Sequence, residues 1–261
     1  MTRFELADHD VVGIRAENPG PFTLGGTNSW IVGRDPAWLV DPGPALPDHI
    51  ESVSRELEMR GGLGGIALTH DHKDHTEAVP AIRARFGSAK LAAARAEADV
   101  VLSGGTMFGP LEAVPTPGHA PDHFALLAGR VAMTGDAVLG EGSVFVAPTP
   151  GALTSYLEGL ERLRGRELDV LCPGHGPPVS DPQAKLTEYI EHRLDRERRL
   201  LAALGAGKRS VEELLDAAWD DVPAQLRPAA AVTLAAHLDK LDAEGRLPSG
   251  VERPSLGFLR G

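Results

Sequence analysis

Short apolar runs alternate with amphipathic stretches over residues 1–185. The runs at 29–32, 38–40, 66–68 and 124–127 have the length and composition of strands, and Gly129-Arg130 turns the last of them into a further run at 131–133. Elsewhere the apolar positions fall at helical spacing, over residues 47–60, 77–86 and 153–163, where Leu153, Leu157, Leu160 and Leu163 recur on one side. Such an alternation predicts an α/β domain, two sheets with helices packed outside them.

Pro177-Pro178-Val179-Ser180-Asp181-Pro182 ends that pattern and divides the chain into residues 1–185 and 186–261. A charged helix follows, with Leu186, Ile190, Leu194, Leu200 and Leu201 on one side and mixed acids and arginines on the other, the composition of a solvated face. Ser210-Val211-Glu212-Glu213 is a capping box that opens a second helix. A third spans residues 230–244, stopped by Gly245. Residues 247–259, broken by Pro248, Gly250 and Pro254, are expected to form a two-stranded wing, so the C-terminal part reads as winged-helix-like.

Charge qualifies that reading. From residue 187 on there are 11 Lys or Arg and 13 Asp or Glu, a balance of −2, within a 261-residue chain of net charge −11. Nucleic-acid binding draws on clustered bases that neutralise phosphates, so a lid or pocket-wall role is expected for the tail, and DNA is not an expected partner. No apolar run approaches the length of a membrane span, and the first residues do not read as a secretion signal. The expected compartment is the cytoplasm. The single cysteine, Cys172, excludes an intrachain disulfide and, at the end of an apolar run, is expected to be a small buried hydrophobe rather than a metal ligand.

The chemistry concentrates in Thr69-His70-Asp71-His72-Lys73-Asp74-His75, directly after an apolar run. Imidazoles and carboxylates hold a borderline cation such as Zn²⁺. Alternation puts His70 and His72 on one side of an extended segment, within reach of one ion, while Asp74 and His75 lie where the chain turns and can reach a second. His119, Asp136 and His175 each close a short apolar stretch within a turn rich in Gly or Pro. Together these residues point to a site for two metal ions.

The order His-x-His-x-Asp-His, then His, Asp and His, resembles the metallo-β-lactamase superfamily. The resemblance extends to Gly25-Gly26-Thr27-Asn28-Ser29-Trp30 and Val40-Asp41-Pro42-Gly43 in the opening strands. Through residues 135–140 and 189–193 it is similar to the LACTB2-like branch. It implies an αβ/βα sandwich followed by a winged helix. It also implies two zinc ions, one held by His70, His72 and His119, the other by Asp74, His75 and His175, with Asp136 bridging and Asp41 supporting from beneath. His72, where diiron oxygen-reducing members carry Glu, and Asp136, where common β-lactamases lack a bridging carboxylate, disfavour both of those activities. The expected reaction is attack of a metal-bound hydroxide, oriented by Asp74 as catalytic residue, on a small ester or thioester. Cleavage of single-stranded RNA is the alternative that the LACTB2-like resemblance supports, and a non-catalytic binder would leave the ligand set unexplained. His123 is expected near the mouth or as a hydrogen-bonded surface residue.

Overall fold

The computed structural model describes residues 2–87, 89–146 and 148–255. Strands β1 (Thr2–Leu6), β2 (Val11–Arg15), β3 (Asn28–Val32), β4 (Ala37–Val40), β5 (Leu63–Ala67), β6 (Lys90–Ala93) and β7 (Val100–Val101) form a seven-stranded sheet in that order. It is antiparallel as far as β4 and parallel beyond. Helix α1 (Pro47–Met59) connects β4 to β5, and α2 (Lys73–Thr76) with α3 (Val79–Phe86) connects β5 to β6. A second sheet of five strands comprises β8 (Met107–Phe108), β9 (Leu111–Pro115), β10 (Phe124–Ala128), β11 (Val131–Gly135) and β12 (Val170–Pro173). Its β11 and β12 run parallel across the connecting helix α4 (Ala152–Arg164).

Alternation along each strand assigns its side chains to two cores. Trp30, Val40 and Ala67 point to the space between the sheets and meet Leu126, Met133 and Cys172. Their neighbours Ile31, Leu39 and Ile66 point outward to Val53 and Leu57 of α1 and Ile82 of α3. On the other flank Ala132 and Leu171 pack under Leu153, Tyr156 and Leu160 of α4. Strands buried on both faces lack a polar side, which is why they read in the sequence as continuous apolar runs. Cys172 belongs to the inter-sheet core and burial pushes its thiol up, as expected of a packing residue.

The tail is built from α5 (Pro182–Gly205), α6 (Val211–Ala218) and α7 (Arg227–Ala243). Asp181 caps α5 by accepting from Ala184 N, and the Ser210–Glu213 capping box opens α6. Helix α5 serves two cores: Leu186, Tyr189 and Ile190 pack with α4, whereas Leu200, Ala203 and Leu204 pack with α6 and α7. Residue 186 therefore falls inside a continuous helix. Residues 247–255 form no strand, Pro248 and Pro254 lacking the N–H a ladder needs, and the rest of the expected wing lies outside the described residues. No helix among the described residues is long and apolar enough to cross a membrane.

The sheets are tied where the chain approaches residue 175. Trp30 Nε1 donates to Pro173 O at 3.0 Å, and Asn28 Nδ2 donates to the carbonyls of Pro173 and Gly176 at 3.0 and 2.8 Å. Gly13 faces Trp30 across β2 and β3, and a Cβ there would lie 2.5 Å from the indole ring. Gly13→Ala should therefore displace Trp30 and cost about 1–3 kcal/mol, measured as a lower urea midpoint.

His237 of α7 is fully buried beside Trp219, with neither ring nitrogen hydrogen-bonded among the described residues. Burial, then the nearby Arg193 and Lys240 charges, push it down to about 3, against about 6.5 in an unfolded chain. Its neutral form is the folded one, so the stability it contributes is complete above that unfolded value and is lost as pH falls toward the folded one. The urea midpoint followed by tryptophan fluorescence should drop between pH 7 and pH 5, and His237→Leu should flatten that part of the drop.

Candidate metal centre

Strand β5 ends at Ala67, and the chain bends at Thr69 and His70 as it enters the histidine cluster. Its exit direction is set by Asp41, buried at the end of β4. One Asp41 oxygen accepts from Thr69 N at 2.8 Å, and the other accepts from Thr69 Oγ1 at 2.7 Å and His75 Nδ1 at 2.9 Å. Asp41 has a left-handed backbone, φ 51°, in front of Pro42, a conformation costing about 1–3 kcal/mol and kept only where surroundings over-determine it. These hydrogen bonds supply that determination and turn His75 Nε2 away from Asp41, toward Asp136 and Asp74.

All seven residues expected as ligands come together. The ligand-type atoms of His70, His72, His119 and Asp136 lie within 4.8 Å of one another, as do those of Asp74, His75 and His175. Asp136 joins the two groups: Oδ2 is 3.4 Å from His119 Nε2, and Oδ1 is 3.5 and 3.4 Å from Nε2 of His75 and His175. Asp74 Oδ2 lies 3.4 Å from the same two nitrogens. Buried and without a hydrogen-bond partner among the described residues are His70 Nε2, His75 Nε2 and Asp136 Oδ1. Unpaired atoms of this kind are costly in a folded core, and a divalent cation between them would satisfy them all. The donor set fits zinc, whose ligands are imidazole and carboxylate.

Electrostatics agree with that fit. Burial disfavours a charge on His75, yet the carboxylates of Asp136, Asp41 and Asp74 outweigh it and push the ring up to about 10. Burial would raise Asp136, but His75 and His175 hold it well below the usual carboxylate range. His70 is driven down by burial and by the neighbouring His75 and His123, leaving a neutral ring with a free lone pair. The carboxylates that draw a proton onto His75 are the charges that would neutralise a cation.

Each group has its own supports. Thr27 Oγ1 donates to Asp74 Oδ2 at 2.9 Å and is itself held by Asn18, while His175 Nδ1 donates to Gly26 O at 3.3 Å. His119 Nδ1 donates to Phe145 O at 3.1 Å, which turns Nε2 toward Asp136 and leaves it 3.1 Å from His72 Nδ1. Of the two placements expected for His123, the surface one is overturned: the ring is buried against the cluster, its centroid 4.9 Å from that of His70. Its Nδ1 pairs with Thr116 Oγ1 at 2.8 Å, its Nε2 accepts from Asp136 N at 3.0 Å, and burial pushes it down to about 3. It positions the Asp136 backbone. Thr27, Thr69, Gly26 and Phe145 were assigned no role from sequence; Thr27 and Thr69 stand beside recognisable motifs, but the two carbonyls carry no sequence signal.

His72 is the exposed member of the cluster. Phe22 and Phe145, with ring centroids 5.7 Å apart, form an aromatic rim on the loops that supply the Gly26 and Phe145 carbonyls.

A sandwich whose strand ends gather histidines and carboxylates around unpaired buried nitrogens is the build of a metal-dependent hydrolase. Residues 84–175 match the family model described as the metallo-beta-lactamase superfamily, and residues 210–249 match the beta-lactamase associated winged helix domain. The chain is 34% identical over 234 residues to an atrochrysone carboxyl ACP thioesterase of Aspergillus chevalieri, covering 82% of this chain and 74% of that one. It is 30% identical over 258 residues to a beta-lactamase-like protein 2 homolog of Caenorhabditis elegans, covering 90% and 85%. A beta-lactamase domain protein from Burkholderia ambifaria has the same fold, with a TM-score of 0.76 at 20% identity over 95% of this chain and 91% of that one. The chain belongs to the metallo-beta-lactamase superfamily, as an αβ/βα sandwich with a C-terminal winged-helix domain.

Removing the Asp41 charge should loosen the centre without unfolding it. Asp41→Asn is expected to weaken metal retention about 10- to 100-fold, measured by competition with a chelator, with an unchanged far-UV spectrum.

Proposed function

We propose that the protein is a zinc-dependent hydrolase of small thioesters or activated esters, with two ions per chain. His70, His72 and His119 would hold one ion, Asp74, His75 and His175 the other, with Asp136 shared between them. Bound zinc lowers the pKa of water to about 7 and polarises an acyl oxygen. Asp74, partly exposed and tied to Thr27, would be the carboxylate that orients a water there and takes up its proton.

The observation that carries this choice of substrate is the likeness, over 82% of this chain, to a fungal relative whose printed name is a thioesterase.

Charge pattern supports the preference over RNA. Five of the tail's cations are engaged by its own acids: Arg196 with Asp221, Arg199 with Asp220, Arg227 with Asp216, Arg253 with Asp239 and Asp242, and Lys240 with Glu197 and Glu244. Among the described residues such pairs weaken the case for a phosphate backbone as partner.

Protein purified without chelator should contain two zinc ions per chain by elemental analysis and turn over acyl-thioesters and p-nitrophenyl esters. Turnover should change little between ~50 and ~300 mM salt, since phosphate contacts would make it fall steeply. A metal content that stays at one after zinc incubation rejects the binuclear reading. Faster turnover of short single-stranded RNA, declining with salt, would instead make the protein a ribonuclease.

A further inference from the structure

The helix that begins the tail also reaches the metal centre. Tyr189 and Arg193 stand one turn apart on α5 and both grip the segment 139–146, which follows β11 and crosses to α4. Tyr189 OH accepts from Leu139 N at 3.3 Å and donates to Gly142 O at 2.8 Å. Arg193 Nη2 donates to Ser143 Oγ at 3.1 Å and to Val144 O at 2.5 Å. The next carbonyl along, Phe145 O, accepts from His119 Nδ1.

Arg193 is an unusual choice for a structural tie. It is buried, its Nε has no partner, and among the described residues no carboxylate lies within ion-pair reach of it. Its charge is faced by the Tyr156 ring, 5.6 Å from centroid to guanidinium carbon, and by strap oxygens. A buried guanidinium without a counter-ion is expensive, and its hydrogen bonds go to the segment that orients His119.

We infer that Tyr189 and Arg193 are positioning residues that fix the His119 tautomer through the 139–146 strap, so that the first half of α5 sets the metal affinity of one of the two ligand groups. The inference rests on the reading of His119 as a zinc ligand. The side chains of the other group are turned by residues off the strap, His75 by Asp41, His175 by Gly26 O and Asp74 by Thr27, and the strap meets that group at the backbone, where Gly140 N donates to the His175 carbonyl at 2.9 Å. Strap and Thr27 variants should therefore weaken different ions.

The test is zinc titration of the full chain against a competing chelator, with the variants Tyr189→Phe, Arg193→Met and Thr27→Val. Tyr189→Phe removes only a hydroxyl and keeps the inference testable if Arg193→Met fails to fold. Loss of a support of this type lowers metal affinity about 10- to 100-fold, and that drop is expected at one ion only for each variant. A double-mutant cycle assigns the ion: in a His119→Ala background the strap variants should have no further effect, whereas Thr27→Val should act in full. Equal weakening of both ions, affinities unchanged within about twofold, or effects that add to His119→Ala would overturn the inference.

A second readout needs no metal. In zinc-free protein the ring ¹⁵N resonances of His119 should report a proton on Nδ1, and Tyr189→Phe should shift the ring toward a mixture of tautomers. An unchanged tautomer rejects the strap, whatever the metal titration shows. Should wild-type protein bind only one ion while the tautomer shifts as expected, the binuclear reading fails and the strap stands.

Discussion

A buried carboxylate with a left-handed backbone is the constraint on which this centre depends. Asp41 ties the end of β4 to the exit of β5 through Thr69, and its second oxygen also takes the imidazole of His75. That tie works with the backbone bonds from Phe124 N to Thr69 O and from Gly43 N to His75 O to hold the segment from Thr69 to His75 in one direction. The rest of the site is assembled against this fixed edge: Asn28 and Trp30 bring the 173–176 segment across from the second sheet, and His175 comes with it.

The site conflicts with stability as it stands. Asp41, Asp74 and Asp136 converge around one imidazole, and three polar atoms are buried without partners among the described residues. A core selected only for folding would replace them with apolar groups at little cost. Local rules broken in one place, inside a sandwich that otherwise obeys them, mark where the chain is organised for binding rather than for packing. A cation that satisfied these atoms would stabilise the folded chain by binding it and not the unfolded one.

What was legible in the sequence follows from range. The ligand cluster at 70–75 is local, and its close spacing makes His70 and His72 neighbours wherever the fold takes them. The strands at β3, β4, β5, β10 and β11 announced themselves as short apolar runs, and the α6 start by its capping box. Pairings made only by the tertiary fold were silent. Thr27 meets Asp74 across 47 residues of chain, and the Phe145 carbonyl that orients His119 has no side-chain signature at all. The surface placement of His123 failed because its neighbours Pro121 and Asp122 read as surface turn, whereas its ring is drawn inward by Thr116 and the Asp136 amide. The division at residue 186 followed the proline-rich segment, which marks the start of a helix and not a gap between cores.

The continuity of α5 has a consequence for the order in which the protein is made. Domains generally fold as units, N-terminal part first, while the chain leaves the ribosome. The sandwich has all its ligands once His175 has emerged, yet the layer that covers Leu153, Tyr156 and Leu160 is completed by Leu186, Tyr189 and Ile190 further along. The outer core therefore stays open during synthesis until the first turns of α5 have been added. A nascent chain halted between these points would carry all seven candidate ligands with an unfinished flank, until the helix that starts the tail closes over α4.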